Sequence, residues 1–223
     1  MGEILSRNMV GIVAFAIIFL SSADVFGGND TIPSSPQTAE EWVKRGKEAK
    51  DDWDHDEAIK CFEKAIELYP DYAEAYFELG EIYAYWYEQD EKAIKYYDKA
   101  AELNPDYVFA FYTLGIIYAD RDEQYEKAIK CFEKVIKLNP DYAKAYNNMG
   151  LAYAEWDEQY DEAIKCFEKA IELEPDFADA YHNLGNAYLI QGYKDKAIEC
   201  YKKAAKLGDT RLHEWLYERN IEW

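Results

Sequence analysis

The chain has 223 residues, 49% hydrophobic and 17% aromatic with 21 tyrosines, and its 45 acidic against 25 basic side chains give a formal charge of −20. A surface of that sign repels a phosphate backbone, so no nucleic acid is expected as a partner. The apolar content suffices for a buried core; the acids read first as solvated helix faces, with steering of a basic partner as the sharper alternative.

The amino terminus comes first in chain order. Met9 to Leu20 form an apolar run preceded by the basic Arg7. It is short for a membrane span of about 20 residues, but it fits the apolar stretch of an export signal with Ser21-Ser22-Ala23 as a small-residue cleavage site. Residues 1–23 are therefore expected to be a signal peptide or, if left uncleaved, a membrane anchor with Arg7 inside. Either way the remainder is expected outside the cytoplasm, in the extracellular space or cell envelope, with the membrane touched only through this segment. No cysteine follows the run, so a lipid has no acceptor there. Residues 24–38, rich in Gly, Pro and Ser, read as a flexible linker. Asn29-Asp30-Thr31 within it is a candidate glycosylation acceptor.

A fixed period follows. Pro70, Pro105, Pro140 and Pro175 recur every 35 residues, and Gly46, Gly80, Gly115, Gly150 and Gly185 stand 34 or 35 apart. Around each glycine runs an amphipathic helix, as in Tyr76, Leu79, Tyr83 or Tyr181, Leu184, Tyr188. A second helix follows in each unit, marked by rows such as Ala58, Phe62, Ala65 and Ala128, Phe132, Val135. Glycine inside a helix costs about 1 kcal/mol against alanine, so close helix contact is expected to compensate. Each proline should stop a second helix, and the next residue, Asp71, Asp106, Asp141 or Asp176, is expected to cap the following helix, with Asp71 and Glu74 forming a capping box.

A large aromatic, Leu-Gly and Tyr, then Ala, an aromatic, a small residue and Pro: in type, order and spacing this resembles the tetratricopeptide repeat family. The resemblance implies an all-α fold, a right-handed α-solenoid of five helix-turn-helix repeats over residues 39–209 (39–70, 71–105, 106–140, 141–175, 176–209) with a capping helix over 210–223. The first copy departs from the pattern, with Arg45 and Ala49 where Leu and Tyr are usual. Repeats two to four carry one extra residue in the turn between their helices, at Glu88-Gln89, Glu123-Gln124 and Glu158-Gln159.

Nothing in the pattern points to catalysis, a metal or a cofactor. No serine occurs from Gln37 onward, and His55, His182 and His213 are scattered singly. Cys61, Cys131, Cys166 and Cys200 share one slot of the repeat, just before the second-helix aromatic, and neighbouring copies about 8–10 Å apart are too far for a disulfide. They read as small core-side residues. What remains is surface. In the family, the stripe beside the buried face of the first helices lines a concave groove that holds a protein or peptide. Here that stripe includes Phe77, Glu81, Tyr85, Phe109, Tyr112, Ile116, Asn147, Leu151, His182, Asn186, Leu189 and Ile190, with Asn148 and Asn183 resembling the asparagines that clamp peptide backbones in some relatives. The alternatives are that these groups pack on one another or that the chain's own amino-terminal segment fills the groove. The expected function is thus a non-enzymatic interaction scaffold. The rival is a self-assembling subunit of a filament or envelope assembly, associating through Trp42, Trp215 and Trp223 or through the apolar amino terminus. Trp53, Trp86 and Trp156 fall at turns on one edge, either covering those turns or forming a contact strip.

Overall fold

The computed structural model describes residues 38–223, apart from 121–123, 157, 220, 222 and 223. The expectations for residues 1–23, for the linker, and for Asn29 and Trp223 lie outside the described residues. Eleven helices and no strand are found among those described. They pair as α1 (Ala39–Asp51) with α2 (His55–Leu68), α3 (Ala73–Tyr85) with α4 (Asp90–Leu103), and α5 (Val108–Asp120) with α6 (Tyr125–Leu138). Then come α7 (Ala143–Glu155) with α8 (Tyr160–Leu173), α9 (Ala178–Ile190) with α10 (Lys194–Lys206), and the single α11 (Thr210–Glu218). Each second helix also packs on the next first helix, and α10 packs on α11, so the pairs stack in sequence as an α-solenoid.

The glycine row explains the pairing. A Cβ on Gly46, Gly80, Gly115, Gly150 or Gly185 would lie 2.4–2.7 Å from a ring carbon of Phe62, Tyr97, Phe132, Phe167 or Tyr201 respectively. These rings are buried between the two helices of each unit, and the alanines one turn before them, Ala58, Ala93, Ala128, Ala163 and Ala197, are wholly buried. Helix propensity is thus given up at five positions to let an aromatic ring lie flat on a bare backbone. A further buried row, Ala75, Ala110, Ala145 and Ala180, escapes a reading based on large side chains.

The helix starts differ from expectation. Asp71, Asp141 and Asp176 are not caps: the N-cap positions are Tyr72, Tyr142 and Phe177, without a side-chain cap bond. The proline and aspartate instead form the middle of a β-turn closed by a backbone bond from Tyr72 to Tyr69, Tyr107 to Asn104, Tyr142 to Asn139 and Phe177 to Glu174, at 3.0–3.2 Å. Proline suits the second position of such a turn, which displaces the helix start two residues beyond the aspartate. A capping box does occur, at α1, where the Thr38 hydroxyl accepts from Glu41 N and Glu41 Oε2 accepts from Thr38 N, both at 3.1 Å. The extra residue of the longer units sits in the turn between their helices, four residues at 86–89 against three at 191–193.

Candidate functional site

First helices of neighbouring units touch, α5 on α7 and α7 on α9. The side of them turned away from the second helices carries the expected stripe, but its rows have different fates. Three residues before each glycine stand Phe77, Tyr112, Asn147 and His182, and all four point into the junction with the next unit. Phe77 is buried, its ring centroid 5.0 Å from Tyr107 and 5.4 Å from Tyr97. Tyr112 packs edge-on against Tyr142 at 5.1 Å, and burial pushes its phenol up to about 12. His182 places Nδ1 2.5 Å from Asp209 Oδ2, and Asp209 is the N-cap of α11. Asn147 is buried. Phe77 and Asn147, expected as partner contacts, are instead taken up between repeats, Phe77 against the Tyr107 ring and Asn147 by the hydrogen bond it accepts from Asn183 of the next unit.

The asparagines are used in the same way. Asn183 Nδ2 donates to Asn147 Oδ1 at 3.0 Å, Asn147 Nδ2 donates to Asn148 Oδ1 at 3.3 Å, and Asn148 Nδ2 donates to the Tyr112 hydroxyl at 3.1 Å. This chain of bonds ties α9, α7 and α5 together across three units. Asn186 is exposed and accepts from the Tyr201 hydroxyl at 2.8 Å.

Charge joins the first two units. Lys47 Nζ lies 2.5 Å from Glu74 and 3.5 Å from Glu78, and Lys50 bonds Glu78 and lies 2.9 Å from Glu81. Burial alone would lower the Lys50 ammonium, but the hydrogen bond to Glu78 and the charge of Glu81 outweigh it and hold Lys50 above its ordinary value. Glu81, a predicted contact, is therefore already paired. Glu78 is a nearly inaccessible carboxylate that sequence reasoning did not single out; the signal was a glutamate in the slot, two before the glycine, that holds the uncharged Thr113, Asn148 and Asn183 in the later repeats.

What stays open is an apolar strip. Phe109 and Ile190 are 59% and 57% exposed, Tyr85, Leu151 and Leu189 are exposed as well, and Ile116 is half-buried among them. Exposed Asp120, Glu155 and Asp179 stand at its margins.

The ends and the thiols are quieter. Trp42 is half-buried with the Arg45 guanidinium 5.5 Å from its ring, and Trp215 is half-buried with Arg219 at 4.2 Å and Tyr201 at 5.3 Å. All four cysteines are free, and burial pushes Cys131 and Cys166 up to about 12 and Cys200 to about 11. Thiols held so far above neutrality are poor nucleophiles. Among the described residues no cluster of three or more metal-ligating side chains forms, and no helix is long and apolar enough to cross a membrane.

Family models described as TPR repeat or tetratricopeptide repeat match residues 54–84, 73–107, 96–130, 122–155, 158–192 and 178–210. No curated protein matches the chain. Among solved structures, the crystal structure of MamA is 32% identical, with a TM-score of 0.68 over 74% of this chain and 95% of that one. YrrB, titled a TPR protein with an unusual peptide-binding site, is 26% identical with a TM-score of 0.69, covering 82% of this chain and 92% of its own. MamA from Desulfovibrio magneticus RS-1, residue 41 to its end, is 23% identical and shares the fold with a TM-score of 0.71 over 78% of this chain and 97% of that one. With its glycine and ring rows in register, six matched segments and a one-third identical relative covered almost end to end, the chain belongs to the tetratricopeptide repeat family.

Proposed function

We propose that this protein is a non-enzymatic interaction scaffold, working outside the cytoplasm, that holds a peptide or protein segment against the face formed by α3, α5, α7 and α9. The observation that carries the reading is the strip of exposed Phe109, Leu151, Leu189 and Ile190 with half-buried Ile116, apolar groups that fall on the first helices α5, α7 and α9. A helix or extended segment with apolar anchors would bury this strip and leave its polar side to the marginal carboxylates. The peptide-binding site named for the similar YrrB supports a ligand of this class. The location rests on the Met9 to Leu20 run alone, and a native amino terminus that begins at Met1 in a cytoplasmic fraction would refute it.

Self-assembly into an extracellular filament or envelope structure is the second reading. It has less support at the ends of the stack, since Arg45 and Arg219 already cover the indoles of Trp42 and Trp215. Tyr112→Ala is a poor probe of the groove because that ring holds Tyr142 and Asn148 in place. The double variant Phe109→Ser, Leu151→Glu touches open side chains and should leave the thermal midpoint unchanged. In native cross-linking and affinity capture it should lose the partner that the parent retains; equal retention by both proteins would remove the groove from the function.

A further inference from the structure

An exposed aromatic surface that the apolar strip does not explain lies at the turns of the first two repeats. Trp53 is 70% exposed, Trp86 is 44% exposed, and the two indoles meet edge to face with centroids 4.8 Å apart. His55 stacks on Trp86 at 4.2 Å and braces it. Together with Tyr85, Lys50, Asp51 and Glu81, the two tryptophans line a shallow cleft.

The backbone says that Trp53 is not there for the turn. The residue two before each second helix has a positive φ in every turn of this type among the described residues: Trp53 at 64°, Glu88 at 51°, Glu158 at 53° and Gly192 at 85°. Glycine takes this conformation freely, whereas a bulky side chain in it is a genuine outlier. The last repeat uses glycine here, and the first uses the largest side chain available. An indole kept in a strained position and left mostly in water is explained by what it can touch.

Charge identifies the occupant. Trp42 and Trp215 each carry an arginine of their own chain, but no cation of the described residues lies over Trp53 or Trp86. The Lys50 ammonium in the cleft is committed to Glu78 and Glu81. Asp51 is exposed and makes no ion pair among the described residues. The cleft therefore offers the largely exposed Trp53 indole, the part of Trp86 that His55 leaves uncovered, and an unneutralised carboxylate on a chain of formal charge −20. A planar guanidinium matches all of these features, since it stacks on an indole while its fork of N–H groups bonds a carboxylate.

We infer that the Trp53–Trp86 cleft receives an arginine side chain of the partner protein, held between the indoles and Asp51 at the edge of the groove. This rests on the scaffold reading and sharpens it. The partner segment carries an arginine where it passes the first two repeats and apolar anchors where it crosses α5, α7 and α9.

The test uses the full chain with blocked pentapeptides, acetyl-Gly-Ser-Arg-Ser-Gly-amide and its norleucine counterpart. Nuclear magnetic resonance of the indole N–H groups reads the site directly. The arginine peptide should shift the Trp53 and Trp86 signals saturably, and the norleucine peptide should not. Trp53→Gly places at that turn the residue Gly192 already occupies in the last repeat, so folding should persist, and it leaves the net charge unaltered. It should weaken the arginine peptide about fivefold, and Asp51→Asn should weaken it by a similar factor. If Trp53→Gly binds within twofold of the parent, or the shifts spread evenly over the acidic surface, attraction is by net charge alone and the cleft assignment is wrong. Failure of the groove is read separately, because Phe109→Ser, Leu151→Glu leaves this cleft intact: loss of partner capture there with unchanged pentapeptide binding, or the reverse pattern with Trp53→Gly, tells the two proposals apart.

Discussion

At the scale of single residues, the fold is governed by contacts in which glycine is the only fit. Gly115 illustrates it: an added Cβ would lie 2.6 Å from Cε1 of Phe132, a ring with no exposed surface and no room to turn. Overpacking of this kind costs about 1–3 kcal/mol, against a gain of about 1 kcal/mol in helix propensity. Gly115→Ala should therefore lower stability by up to about 2 kcal/mol, read from the midpoint of urea unfolding; a more stable variant would contradict the close-contact account. These glycines were legible in the sequence because their recurrence inside helical patterns needs a reason. For the row of Phe77, Tyr112, Asn147 and His182 the sequence left open whether the side chains face a partner or pack on one another, because helical spacing tells which residues share a side and not how far the next repeat reaches over them. The same limit applied to Asn148 and Asn183, whose amides proved to be bonded within the protein.

At the scale of elements, period and composition located helices well and their starts less well. Proline followed by aspartate reads equally as a helix stop with a cap or as a β-turn, and the backbone bonds from Tyr72 to Tyr69 and its copies decide for the turn. The capping box of α1 was readable as Thr38-Ala39-Glu40-Glu41 but was masked by the stronger signal of the repeats. The last element, α11, is held differently from the others. It buries Leu212 and Leu216 and is capped by Asp209, whose Oδ1 accepts from Arg211 N and Leu212 N at 3.1 and 3.2 Å. Burial alone would raise the Asp209 carboxyl, but the hydrogen bond with His182, the Leu212 N–H and the nearby Arg211 outweigh it and hold the carboxyl below its ordinary value. A carboxyl depressed in the folded state contributes stability that is fully present above its unfolded value, about 3.9, and is lost as pH falls through the folded value. Lowering the pH below about 4 should thus loosen α11 before α1 to α9, seen as faster amide exchange at Leu212 and Leu216. Asp209→Asn keeps a cap and should flatten this acid response; an unchanged response would place its origin elsewhere.

At the scale of the whole molecule, stability passes from neighbour to neighbour along the stack, which makes the two ends the places where association would start. Both are partly closed, α1 by Trp42 under Arg45 and the far end by α11 with Trp215 under Arg219. The strong negative charge adds repulsion between copies. Light scattering of residues 38–223 should accordingly give a monomer mass that does not rise with concentration, and a mass that climbs would favour the filament reading instead. By itself the sequence determined the family, the helix pairs and the tight glycine contacts, because each follows from spacing within a single unit. Tertiary structure alone decided which part of the first-helix stripe stays open, that two asparagine slots are spent on holding repeats together, and that Trp53 and Trp86 meet. The reason is physical: those outcomes depend on the distance between side chains 30 or more residues apart, and that distance is set by how one repeat is rotated on the next, which no local pattern encodes.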